Sequence, residues 1–168
     1  AFVGRLVESK GVRTLLDADA GTREITDALQ WIVNVTKPDS TVVIFYAGHV
    51  RKLSATTEAI VAADGRLVTD AAMASLLRPL LARRVWITMA SCYGGGFSEL
   101  LKPGRILTAA AGANDIAYEN EQLGRSYLVE YMVRRAMING AASSSVEAAF
   151  AWARDQIAHD YPNRVPVQ

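Results

Sequence analysis

Two hydrophobic periodicities alternate along this chain. Residues 41–46 (Thr-Val-Val-Ile-Phe-Tyr) are β-branched, aliphatic or aromatic at consecutive positions, the pattern of a strand buried on both faces. Residues 84–90 and 105–110 repeat it. Between these runs the apolar positions fall at helical spacing. Ile25, Leu29, Ile32 and Val33 predict a helix that Thr22 caps and Pro38-Asp39 stops. Met73, Leu76, Leu77 and Leu80 predict another over 69–82, capped by Thr69 or Asp70, with Pro79 placed to bend or shorten it. Residues 123–138 and 145–161 read as two closing helices, with Ala141–Ser145 a short loop that ends in a helix cap. Residues 12–16, after Gly11, read as a further strand. Residues 58–63 read as a short strand turned by Asp64-Gly65, preceded by a loop with Lys52, Ser54 and Thr56. Strands alternating with helices predict an α/β fold with a mostly parallel sheet covered on both faces.

Composition narrows the function classes. The 168 residues predict one domain. They are 51% hydrophobic and 21% charged, with mean hydropathy +0.12, enough to bury a core. The net charge of +1 gives no basic excess for nucleic acid. No apolar run reaches the ~20 residues of a membrane helix. A single cysteine, Cys92, excludes a disulfide framework and a multi-cysteine zinc site, and two histidines leave little for other metals. No cofactor is expected. Asp17 and Asp19 lack a full calcium-loop pattern.

A parallel sheet carries its chemistry beyond the carboxyl ends of its strands. The run 41–46 leads into Ala47-Gly48-His49-Val50, and the run 84–90 into Ser91-Cys92-Tyr93-Gly94-Gly95-Gly96. The one cysteine and one of two histidines thus follow two parallel strands. A thiolate is a nucleophile, and an imidazole beside it activates the thiol and protonates a leaving amine. Backbone N–H groups of Cys92 and Val50 are candidates for an oxyanion hole. Singly, each residue has a plainer reading, the cysteine as a small buried hydrophobe and the histidine as hydrogen-bonded structure. The triple glycine lacks the Gly-Lys-Ser/Thr ending of a phosphate loop.

In order, these motifs resemble the caspase-like cysteine peptidases: caspases, metacaspases, bacterial relatives and the legumain-type group. Gly48-His49 resembles the family's Ser-Gly-His-Gly turn. Ser91-Cys92-Tyr93-Gly94-Gly95 resembles the Cys-x-Ser-Gly-Gly turn. Leu107–Ala110 followed by Ala117-Tyr118-Glu119 resembles the strand and Ala-x-Glu segment found after the nucleophile, and Pro166-Val167-Gln168 the short tail. His49 lies 43 residues before Cys92, near the caspase spacing of about 50.

The resemblance implies a three-layer α/β/α sandwich and a cysteine-type endopeptidase, a thiol protease that hydrolyses polypeptide substrates. Cys92 would be its nucleophile and His49 its general acid/base. It implies no metal in the chemistry, although some metacaspases use calcium for activation. A reducing cytoplasm suits such a thiol. Against the family pattern, residues 1–11 match only the end of a helix. The single domain 1–168 is therefore expected to be N-terminally incomplete and to lack the family's first strand, with a second chain or segment completing the sheet. Ala90 stands where metacaspases carry an acidic residue, so a preference for basic side chains does not carry over from it. Ala47 and Val50 replace the Ser and Gly that flank the Gly-His pair. They motivate an alternative, a catalytically silent interaction module. A third reading is a flavodoxin-like nucleotide-binding domain. Asp115 and Glu119, beyond the strand at 105–110, are candidate substrate-binding residues, since a carboxylate there would favour Lys or Arg before the scissile bond.

Overall fold

The computed structural model describes residues 11–162. The segment before Gly11, expected to match the end of a family helix, and the tail at 166–168 lie outside the described residues. The chain is mixed α/β, built on a parallel sheet of β1 (Thr41–Ala47), β5 (Arg84–Ala90) and β6 (Arg105–Ala109) in the order β1-β5-β6. These are the three runs of consecutive apolar and β-branched residues. The stretch between β1 and β5 holds an antiparallel sheet of β2 (Val50–Ser54), β3 (Thr57–Val61) and β4 (Leu67–Thr69).

One face of the parallel strands lines a first apolar cluster, and the other face meets a second cluster only at β5 and just past β6, so β1 is not buried on both faces as its composition predicts. Val42, Val85, Ile87, Met89, Leu107 and Ala109 pack with Leu29 of α1 (Thr22–Val35), Met73 of α2 (Asp70–Leu76), and Phe97 and Leu100 of the 3₁₀ segment Gly94–Leu100. Trp86 and Ala110 belong to a second cluster, with Tyr131 and Met132 of the π-helix Val129–Ile138 and Phe150, Ala153 and Ile157 of α3 (Val146–Asp160). The buried polar atoms near that second cluster are paired: Trp86 Nε1 donates to Thr108 Oγ1 at 3.0 Å, and Thr108 and Thr88 share a hydrogen bond of 2.9 Å.

Several expectations change. Residues 12–16 form no strand, and Val12 and Leu16 are exposed. An apolar run with no neighbour to take its backbone hydrogen bonds does not become a strand. The segment read as a loop around Lys52 is β2, whose half-exposed hairpin with β3 carries little apolar signal. The helix expected over 69–82 ends at Leu76, ahead of Pro79, with the Thr69 hydroxyl capping it by accepting from Ala72 N–H. Thr22 is not a cap. Gly21 holds that position, and the Asp64 carboxylate accepts from both Thr22 N–H and Thr22 Oγ1, closing α1 from the β3–β4 turn. The expected helix 123–138 begins only after a small hairpin of β7 (Glu119–Asn120) and β8 (Arg125–Ser126). Ser145 caps α3 as expected.

Candidate functional site

β1 and β5 are parallel neighbours in register along their whole length, ending with Ala47 opposite Ala90. Adjacent strands lie about 4.8 Å apart, so Gly48-His49 and Ser91-Cys92 leave the sheet from neighbouring tips on one edge.

The histidine turn is held through its backbone. The His49 carbonyl accepts from Tyr46 Oη at 2.8 Å and from Val61 N–H at 2.9 Å, while the residue as a whole is exposed. Burial pushes the Tyr46 hydroxyl up to about 12, so it stays a donor across neutral and mildly alkaline pH. Gly48 leaves room for this ring: a Cβ there would lie 2.6 Å from the Tyr46 hydroxyl and 2.9 Å from its ring carbon, so the ring would have to shift. Val50 begins β2 with its side chain buried in the first cluster, so a branched residue suits this place. The ladder bond to β3 falls on His49, and antiparallel pairing alternates. The Val50 N–H therefore points away from β3.

The cysteine turn is tight. Tyr93 has φ 56° and ψ 16°, a left-handed conformation that strains a non-glycine residue by about 1–2 kcal/mol. Among the described residues no backbone carbonyl accepts from the Cys92 N–H. The neighbouring Ser91 is buried, and its Oγ has no partner among them. Cys92 itself is half-buried.

The segment Ala111–Ala117 runs against this turn. Tyr93 N–H donates to Asp115 O and Gly95 N–H to Ala111 O, both at 2.9 Å. Ala117 N–H donates to Cys92 Sγ at 3.3 Å, and the thiol lies 3.9 Å from Ala117 O. Among the described residues the His49 ring makes no hydrogen bond to Sγ. Sequence and structure thus agree on the shared edge, but the imidazole and thiol are not joined. Asp115 touches the site through its carbonyl while its side chain is exposed, and Glu119 sits exposed in the β7–β8 hairpin.

Sequence reasoning missed Lys52 and Glu58. Glu58 is 1% exposed, on β3. Lys52 Nζ meets Glu58 Oε1 at 2.5 Å and donates to Ala113 O at 2.9 Å and to Ala55 O at 3.3 Å. The sequence signal was a lysine and a glutamate six apart across a two-residue Ala-Thr tip, a hairpin spacing hidden by polar composition.

A cavity of about 460 Å³ lies at the opposite ends of the strands, lined in part by Thr41, Arg84, Trp86 and Arg105, and includes neither His49 nor Cys92. Among the described residues no three His, Cys, Asp or Glu side chains gather to hold a metal. No helix among them is long and apolar enough to cross a membrane. No protein-family model matches the chain, and no curated protein matches it.

Proposed function

We propose that this chain is a caspase-like cysteine endopeptidase with Cys92 as nucleophile and His49 as general acid/base. The observation that carries the reading is the Ala47–Ala90 register, from which the sole cysteine and the histidine emerge side by side at the carboxyl edge of a parallel sheet. The apolar clusters on the two sides of β5 support the three-layer α/β/α arrangement. In the proposed reaction Cys92 Sγ attacks the scissile carbonyl as its proton passes to His49, which turns on its anchored backbone to meet the sulfur. The Cys92 and Val50 N–H groups stabilise the oxyanion. His49 then protonates the leaving amine, and water resolves the thioester. The substrate is a polypeptide, with Asp115 and Glu119 lining its path. The reading needs no cofactor, and calcium enters only through the family resemblance.

A peptide carrying a cysteine-directed warhead tests this. The expected result is a single adduct on Cys92 that Cys92→Ala abolishes and His49→Ala reduces by about 10²–10⁴-fold, the range of general acid–base catalysis. Labelling that ignores His49 in the folded chain overturns it. A second reading, a catalytically silent interaction module, is favoured by one observation: Sγ is bonded to Ala117 and not to the imidazole. That reading expects no adduct at all.

A further inference from the structure

Three parts of the site meet at one ion pair, between buried Glu58 and half-buried Lys52. Glu58 projects from β3 into the space left by Gly96, where any Cβ would collide with its carboxyl group. Its Oε1 is taken by Lys52 Nζ, and its Oε2 has no partner among the described residues. The carboxylate is therefore fixed by one lysine on one side and the glycine turn on the other. Lys52 in turn reaches out of the hairpin to the Ala113 carbonyl, 61 positions along the chain. Ala113 lies in the segment whose Asp115 carbonyl holds Tyr93 and whose Ala117 N–H holds Cys92 Sγ. A fully buried carboxylate is costly unless paired, and a core built only for stability would fill this place with an apolar side chain. The ammonium instead spans three carbonyl or carboxylate acceptors drawn from two separate parts of the chain.

We propose that Lys52 and Glu58 are positioning residues for Cys92. The pair latches the Ala111–Ala117 segment across the sulfur and braces the Gly94–Gly96 turn that follows it. This inference rests on the peptidase reading for its purpose, but not for its test. The latch sets how far Sγ is covered and which way it faces. When it opens, a small reagent reaches the sulfur more readily, while a peptide loses one wall of its cleft.

Lys52→Met alone leaves Glu58 buried without a counter-charge and is expected to melt low. The decisive variant is Lys52→Met/Glu58→Leu, which replaces the pair with apolar side chains and leaves the Ala113 carbonyl without its donor. It is expected to recover the melting temperature of the parent. Even so, Cys92 alkylation by iodoacetamide should run at least about fivefold faster, the worth of one net hydrogen bond. Amide exchange at Tyr93, Gly95 and Ala117 should accelerate while that of Ile87 in β5 holds. Lys52→Arg, which keeps a donor, should stay close to the parent rate. Since the chain has one cysteine, the mass shift reports Cys92 alone. A repaired double variant with parental alkylation or parental exchange at those three amides overturns the proposal and leaves the pair a structural feature only. Iodoacetamide needs no peptide turnover, so a chain that cleaves no peptide still tests the latch and separates its failure from that of the peptidase reading.

Discussion

Tyr46 and Gly48 together set where the imidazole starts. The hydroxyl donates to the His49 carbonyl across the space that a side chain at 48 would occupy. Gly48→Ala therefore pushes the ring off that carbonyl, and Tyr46→Phe removes the same bond from the other end. Each is expected to lower stability by about 1–2 kcal/mol, a hydrogen bond plus local strain. The two act on one contact, so the double variant should lose less than the sum of the singles. Denaturant unfolding of all four proteins measures this, and strictly additive losses would refute the shared contact. At this scale the sequence placed His49 and Cys92 on one sheet edge, because each directly follows a strand that the apolar runs make plain. It did not expose the residues that hold them. Tyr46 read as one more aromatic in a strand, and Lys52 as a loop cation, because a backbone acceptor 61 positions away leaves no local trace.

Among the elements, the three parallel strands were legible because β-branched, aliphatic and aromatic residues run consecutively through them, although β1 buries only one face, with Val43 and Phe45 exposed on the other. The two hairpins were not, since β2 is polar and partly exposed and β7–β8 is only two residues a side. The π-helix was hidden more deeply, because its apolar spacing reads as α. Its wider turn has a consequence at Glu130. In an α-helix the residue five ahead lies about 140° round the axis. Where bonds close from i to i+5, residues four and five ahead straddle the starting one. Arg134 Nη1 and Arg135 Nε accordingly both bond Glu130 Oε1, at 3.1 and 3.0 Å, and Arg125 Nη1 approaches Oε2 at 3.7 Å. The Arg135 guanidinium also lies over the Tyr131 ring, 4.2 Å from its centre. Burial works against ionisation of Glu130, but the hydrogen bonds from Arg135 and Arg134 outweigh it and hold the carboxyl below its usual range.

A carboxyl lowered on folding stabilises the protein above the unfolded-state value, near 4.3, and that contribution is lost as pH falls through the lower folded value. Glu130→Gln should therefore cost about 1–1.5 kcal/mol at neutral pH, the low end for a charged hydrogen bond because the guanidiniums are half-exposed. It should cost progressively less below pH ~4. Melting curves from pH 7 down to the acid limit measure this, and a variant whose deficit persists undiminished in acid would refute it.

Taken as a whole, the molecule is covered unevenly. The π-helix and α3 form a cluster with Trp86 of β5, but among the described residues no such cluster includes a residue of the outer face of β1. Val42 is 5% exposed, while Val43 and Phe45, its neighbours on the opposite face, are 54% and 50% exposed. Among the described residues the outer edge of β1 pairs with no strand either. A seven-residue strand with an apolar face and an open edge carries none of the charges, prolines or bulges by which proteins protect such edges. An exposed apolar strand of this kind templates pairing with another. The most available partner in a purified sample is β1 of a second copy. The chain should therefore self-associate, with sedimentation coefficients that rise over a concentration series. Val43→Lys/Phe45→Lys should return it towards the monomer, since two charges on the outward face oppose stacking and leave the inward-facing Val42, Ile44 and Tyr46 in place. The warhead reaction on Cys92 should persist in that variant, because neither substitution reaches the His49 or Cys92 turn. A parent chain that sediments as a monomer throughout, or a double variant that associates as strongly as the parent, would show that β1 is protected by something other than a second strand.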